Sequence, residues 1–177
     1  ILKTTKEIVA RYLKKHALAG VAISSAGMVD PDKGEIFYAG PQIPNYAGTQ
    51  FKKEIEETFQ IPCEIENDVN CAGLAEVTTG HAKGSNNAVC LTIGTGIGGC
   101  LLLDGQVFHG FSNSACEVGY LHLPDGAFQD LASTTALVKY VAEHHGDPVE
   151  KDWLISFMWS IRKSSFLEGE LWLRKRS

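Results

Sequence analysis

Two groups of residues in this chain carry types and spacing fit for chemistry. The first is Glu66-Asn67-Asp68, where three consecutive side chains offer carboxylate and amide groups. Asp68 is a candidate general base, because a carboxylate can accept a proton from a hydroxyl nucleophile. A bland reading competes with it, since Asn or Asp before a helix commonly serves as an N-cap. The second group is Leu91-Thr-Ile-Gly-Thr-Gly-Ile-Gly-Gly-Cys100, whose Gly94 lies 26 residues after Asp68. Its Gly94, Gly96 and Gly99 spell G-x-G-x-x-G, the letters of a dinucleotide loop. Four glycines in six residues forgo side-chain packing and cost chain entropy. Such density makes sense where backbone N–H groups must approach a phosphate. A plain Gly-rich turn is the competing reading.

The dinucleotide reading requires a helix after the glycines, with its N-terminus on the pyrophosphate. Here Cys100-Leu-Leu-Leu-Asp-Gly-Gln-Val-Phe follows, two strand-like runs around Asp104-Gly105, a strong hairpin dipeptide. Glu117 lies near the distance expected of a ribose-binding acid, but no crossover helix precedes it. A protein-kinase glycine loop also sits in a hairpin, but the V-A-I-K and H-R-D segments it needs are missing. The glycines therefore read as a phosphate turn between two strands.

The elements that must hold these groups follow from periodicity. Residues 4–16 and 48–60 read as amphipathic helices, the second with Phe51, Ile55 and Phe59 on one face. Residues 20–27, 35–39 and 62–67 read as strands, with turn chemistry at 30–34. Residues 68–82 read as a helix with Asp68 at its mouth. Residues 87–94, the two arms around Asp104-Gly105, and 116–123 read as strands, and 128–145 as a helix. Strand carboxyl ends are where open α/β sheets bind ligands, which favours Asn67 and Asp68 as functional residues. The pattern predicts an α/β chain in two halves, 1–83 and 84–150, followed by a tail of different character, 151–177.

The tail holds all three tryptophans and a local charge of +3, whereas the other 150 residues carry −8. A core helix, an interfacial membrane helix and a foreign end created by truncation or frameshift all fit it. The net charge of −5 and the lack of a basic stripe outside the tail argue against nucleic-acid binding. No signal peptide or spanning segment is evident. The five cysteines (63, 71, 90, 100, 116) form an odd set without a C-x-x-C pair, which reads as reduced thiols in an intracellular compartment.

Together these stretches resemble the ROK family of repressors, open reading frames and sugar kinases, in the actin-like ATPase (ribonuclease H-like) superfamily. Gly20–Ile36 is similar to the family's G-V-P-G-x-V-D segment, and Ile43–Gly48 to its N-x-x-G-W element. Ile65–Glu76 looks like its sugar-binding and catalytic segment. Leu91–Gly110 looks like its second phosphate loop, and Glu117–Leu123 like its E-x-G-H segment. The likeness runs from about residue 18 to about 145. It implies a cytoplasmic sugar kinase using ATP and Mg²⁺ to phosphorylate a hexose or related sugar at a primary hydroxyl, or else a sugar-binding repressor. It implies Asp68 as general base, and Gly27, Asn45, Asn67, Asp68, Glu117 and Gln129 as sugar-binding residues. Gly94, Thr95, Gly96 and Gly98 would line the ATP phosphates.

The departures carry their own expectations. Tyr120 stands at the position of the family's zinc-binding His, His122 is two residues late, and residues 123–133 contain no cysteine. No structural zinc or other protein-held metal is expected. Gln129 stands where the family has a sugar-contacting Glu, so the substrate is expected to differ from free glucose. The family's first phosphate loop, D-I-G-G-T, and its adenosine-binding segment are not found in these residues. A fragment with little activity alone is the expectation, homodimeric when complete and without nucleic-acid or membrane partners.

Overall fold

A computed structural model describes residues 1–41 and 43–145. The 151–177 tail lies outside the described residues. The elements run α1 (Leu2–Leu13), β1 (Val21–Ser25), β2 (Met28–Asp30), β3 (Glu35–Tyr38), β4 (Thr49–Gln50), α2 (Phe51–Phe59), β5 (Cys63–Asn67) and α3 (Asp68–Thr78). They continue as β6 (Ala88–Ile93), β7 (Ile97–Leu103), β8 (Gln106–Val107), a single 3₁₀ turn at Val118–Tyr120, β9 (His122–Leu123), β10 (Gly126–Ala127), α4 (Phe128–Ala132) and α5 (Thr134–His145).

Packing divides these into two compact units. One holds Ile1–Thr92 and Gly98–Val118; the other holds Ile93–Ile97 and the described residues from Gly119 on.

In the first unit β1 and β5 pair in parallel over five residues, from Val21 opposite Cys63 to Ser25 opposite Asn67. Both strands therefore end at the same level, with Gly27 just beyond one and Asp68 just beyond the other. Parallel pairing requires a crossover. Here it contains the antiparallel β2–β3–β4 sheet and α2. Helix α2 supplies both cores. Phe51 joins Val29, Ile36, Tyr46 and Ile65 in one cluster, and Ile55 joins Val9 and Cys63 in the other. Complete burial of Phe51 or Ile55 contributes about 1.5–3 kcal/mol each. The Phe51–Ile55 spacing that predicted the helix is the spacing that fills them. The helix stops at Gln60, which takes a left-handed φ of 55°.

The hairpin after the glycines folds as its dipeptide demands. Leu102 pairs with Val107 and Leu103 with Gln106, leaving Asp104 (φ 51°) and Gly105 (φ 76°) as a two-residue turn. Both central residues at positive φ define the turn type whose twist suits adjoining strands.

The structure corrects four expectations. Residues 116–123 form no continuous strand: Cys116 takes φ 65°, the chain makes a 3₁₀ turn, and only His122–Leu123 pairs, with Gly126–Ala127. The expected helix over 128–145 is two helices. Ser133 breaks it in an extended conformation and restarts it, its buried Oγ accepting the Ala136 N–H at 3.1 Å. Thr49 and Gln50, expected in the second helix, pair with β3 instead. Helix α3 stops at Thr78, short of the expected residue 82, where Thr79 and Gly80 donate to carbonyls of its last turn.

A candidate sugar site and a glycine hairpin

The carboxyl end of β5 becomes the amino end of α3 without an intervening loop, so residue types at this junction act on both. Asn67 is the N-cap. Its Oδ1 accepts the N–H groups of Val69 at 2.9 Å and Asn70 at 3.2 Å. Its Nδ2 donates to the Gly27 carbonyl at 3.0 Å, which ties the end of β1 to the end of β5. Gly27 can turn back there because its φ is +94°, and a Cβ would lie 2.7 Å from the Tyr38 carbonyl oxygen. Asn67 thus serves as a cap, and its second amide N–H has no partner among the described residues.

Asp68 opens α3 and is exposed. Its Oδ1 accepts the Val69 N–H at 3.0 Å, and its Oδ2 has no partner among the described residues. Glu117 belongs to the same unit and is half-buried. Burial pushes its carboxyl above the usual range, and the nearby Asp68 charge pushes it further the same way. Two carboxyls in unlike surroundings, one open and one shielded, can divide proton-accepting and hydroxyl-binding roles.

Ser25 and Tyr46 close the same end of β1. Their hydroxyls share a buried hydrogen bond of 2.6 Å. Asn45, next in chain to Tyr46, is exposed with φ 56°. It lines a cavity of about 460 Å³ with Gln50, Glu54 and the start of α1, and that cavity includes none of Gly27, Asn67, Asp68 or Glu117.

Gly94, Thr95 and Gly96 belong to the second unit, with Gln129. They form a tight turn closed by a Gly94 N–H to Gly96 carbonyl bond of 2.9 Å. The Gly94 carbonyl accepts the Thr134 N–H and the Thr95 carbonyl accepts the Thr135 hydroxyl, both at 2.8 Å. Two oxygens that would repel an anion are thereby fixed on the start of α5. The Gln129 Oε1 lies 2.9 Å from where a Gly96 Cβ would sit, so this amide packs against the turn. Gly98 belongs to the first unit and has a packing reason of its own. A Cβ there would meet Val69 Cγ2 at 2.6 Å and Thr92 Oγ1 at 3.0 Å.

The sequence signals did not reveal Glu66, Asn70 and His109. Glu66 Oε2 faces His109 Nε2 at 2.6 Å, and its Oε1 accepts from the Asn67 N–H at 2.7 Å and Asn70 Nδ2 at 3.0 Å. Glu66 was visible as the first letter of Glu-Asn-Asp, but no spacing rule pairs it with a residue 43 positions away. Tyr120 and His122 are exposed, and no group of three His, Cys, Asp or Glu side chains able to hold a metal occurs among the described residues. No helix among them is long and apolar enough to cross a membrane.

These features define an α/β protein of the actin-like ATPase class, with a parallel strand pair ending on a carboxylate and a glycine hairpin beyond it. The chain belongs to the ROK family, whose profile matches residues 1–148. It is 51% identical over 146 residues to an uncharacterised protein of Clostridium perfringens, covering 82% of this chain and 50% of that one. It is 36% identical over 142 residues to the beta-glucoside kinase of Listeria monocytogenes, covering 76% and 48%. Among solved structures, a ROK family glucokinase from Streptomyces griseus in complex with glucose and AMPPNP superposes with a TM-score of 0.66 at 29% identity, covering 81% and 48%. A ROK family transcriptional regulator, a homolog of the E. coli MLC protein, superposes at 0.70 with 25% identity, covering 85% and 42%. The chain spans about half the length of the curated relatives it matches.

Proposed function

We propose that this chain carries the sugar-binding and phosphate-binding parts of an ATP-dependent kinase that phosphorylates a hexose or related sugar at a primary hydroxyl. The observation that carries the reading is Asp68: an open carboxylate at a strand end, with one free oxygen and a shielded second carboxyl, Glu117, near enough to feel its charge. In the proposed mechanism Asp68 Oδ2 accepts the proton of the attacking hydroxyl. Glu117 and the remaining N–H of Asn67 hold ring hydroxyls, with Gly27 shaping the same end of the strand pair. Asn45 and Gln129 are proposed to contact the sugar as well, the neutral Gln129 amide shifting preference away from free glucose.

Gly94, Thr95, Gly96 and Gly98 are proposed to hold the ATP phosphates. The turn fits that role because its carbonyls are fixed on α5 and a Gly94 Cβ position is open space. MgATP, when bound, supplies the phosphoryl group and neutralises its charge. The proposed protein is cytoplasmic and homodimeric.

Calorimetry on the purified chain with AMPPNP, a panel of hexoses and hexosides, and NAD tests the reading. Binding of AMPPNP and one sugar, with no response to NAD, is expected. Sugar binding without AMPPNP would favour a repressor-type sensor, and NAD binding alone would overturn the proposal. In any form that turns over, Asp68→Asn is expected to lower kcat about 10²–10⁴-fold.

A further inference from the structure

We propose that His109 is a positioning residue that acts through Glu66 to hold Glu117's loop against the segment bearing Asp68. Glu66 lies on β5, one residue before the N-cap. Its Oε1 takes two donors, the Asn67 N–H and Asn70 Nδ2, which fixes the orientation of the carboxyl group. In the proposed bridge the remaining oxygen, Oε2, accepts from His109 Nε2, the tautomer in which Glu66 accepts at both oxygens. Both side chains are largely shielded, at 16% and 26% exposure, and a hydrogen bond to a carboxylate strengthens as water is withdrawn.

His109 is well placed to transmit this anchorage. On one side the Phe108 N–H bonds the Leu101 carbonyl of β7 at 2.8 Å. On the other the His109 carbonyl accepts the Ala115 N–H at 3.1 Å, closing the loop that leads to Glu117. Burial gives the first half of that loop little support, since residues 110–112 are exposed and Phe111 fully so. At the loop's far end Cys116 and Val118 pack against Gly99 of β7, so the polar anchorage matters most for the exposed half near His109. The imidazole joins the Asp68 segment to the Glu117 segment within one unit through its bond to Glu66.

The catalytic meaning rests on the sugar-site reading above, but the bridge can be tested without sugar. Long-range ¹H–¹⁵N spectra of the histidines in the 177-residue chain should show His109 protonated on Nε2, with the signature displaced in Glu66→Gln. Amide exchange in 110–118 and 66–71 should rise about tenfold in His109→Ala and return toward the parent rate in His109→Gln, whose amide N–H reaches the same acceptor. The affinity for a sugar that the parent chain binds should follow the same order. Unchanged exchange in His109→Ala, an Nδ1-protonated ring, or no recovery in a folded His109→Gln would overturn the proposal. Should His109→Ala fail to fold, the spectra and His109→Gln still decide it. Exchange that responds as stated in a chain that binds no sugar supports the bridge and counts against the sugar reading alone.

Discussion

Gly94 and Gly98 sit four residues apart in one glycine run, yet alanine should separate them sharply. At Gly98 a new Cβ would lie 2.6 Å from Val69 Cγ2 and 3.0 Å from Thr92 Oγ1. Both neighbours are β-branched, and Val69 sits in the first turn of α3, where its rotamer is nearly fixed. Neither can swing aside, so the backbone must shift. An extra carbon forced into such a place costs about 1–3 kcal/mol. At Gly94 a Cβ meets nothing within 4 Å, and the φ is not left-handed. Alanine there restricts the unfolded chain without straining the folded one, a gain of about 0.4–1 kcal/mol. The two variants should differ by roughly 1.5–4 kcal/mol, or several degrees in Tm at about 2–4 °C per kcal/mol. Urea and thermal unfolding followed by circular dichroism measure this directly. Equal stabilities, or a Gly94→Ala that falls as far as Gly98→Ala, would refute the packing account of Gly98. A stable Gly94→Ala also isolates phosphate binding, because loss of AMPPNP affinity could not then be blamed on unfolding.

Glu117 has its pKa raised by burial and then by Asp68. A carboxyl raised on folding lends stability below the ordinary carboxylate range and surrenders it as pH climbs through its folded value. Glu117→Gln should therefore stabilise the chain at neutral pH and lose that advantage at about pH 4 and below; urea titrations at both ends of the range check the sign. Ile55→Ala, at a fully buried site, should cost about 2–5 kcal/mol by the same measurement. Cys100 is buried and its thiol is pushed up to about 11, and Cys63 is buried and raised as well. Iodoacetamide followed by peptide mapping should label Cys71 and Cys90 while sparing both in the folded chain.

Much of this was legible because the signals are local. Phe51 and Ile55 share a helix face, Asp104-Gly105 selects its own turn, and Asn67 before an apolar helix is a cap wherever it occurs. Strands β1 and β5 each read as short strand segments, but their parallel pairing across the intervening helix and sheet does not. What escaped depends on contacts distant in sequence. Residues 116–123 alternate like a strand, yet only two of them find a partner, because Cys116 turns the chain and Val118 N–H bonds back to the Cys116 carbonyl at 2.7 Å. Ser133 looked like one more polar residue in a helix, but its hydroxyl caps the next one. Glu66 and His109 meet across 43 positions, where periodicity has nothing to say. The glycine run carries packing demands that its letters do not show. Its density suggests a phosphate, and the fold adds that Gly98 is small for the sake of Val69 while a Gly94 Cβ would face open space.

The short turn at 93–97 has a consequence for anyone who would dissect this chain. It leaves the first unit, enters the second for five residues and returns, so each unit is woven from separate stretches. A cut after Val118 would keep the turn but strip it of Thr134 and Thr135, which hold its carbonyls. A piece starting at Gly119 would keep those two residues without the turn they hold. No single scission yields both units intact, and expressing the second one alone would require grafting 93–97 onto it through a new linker.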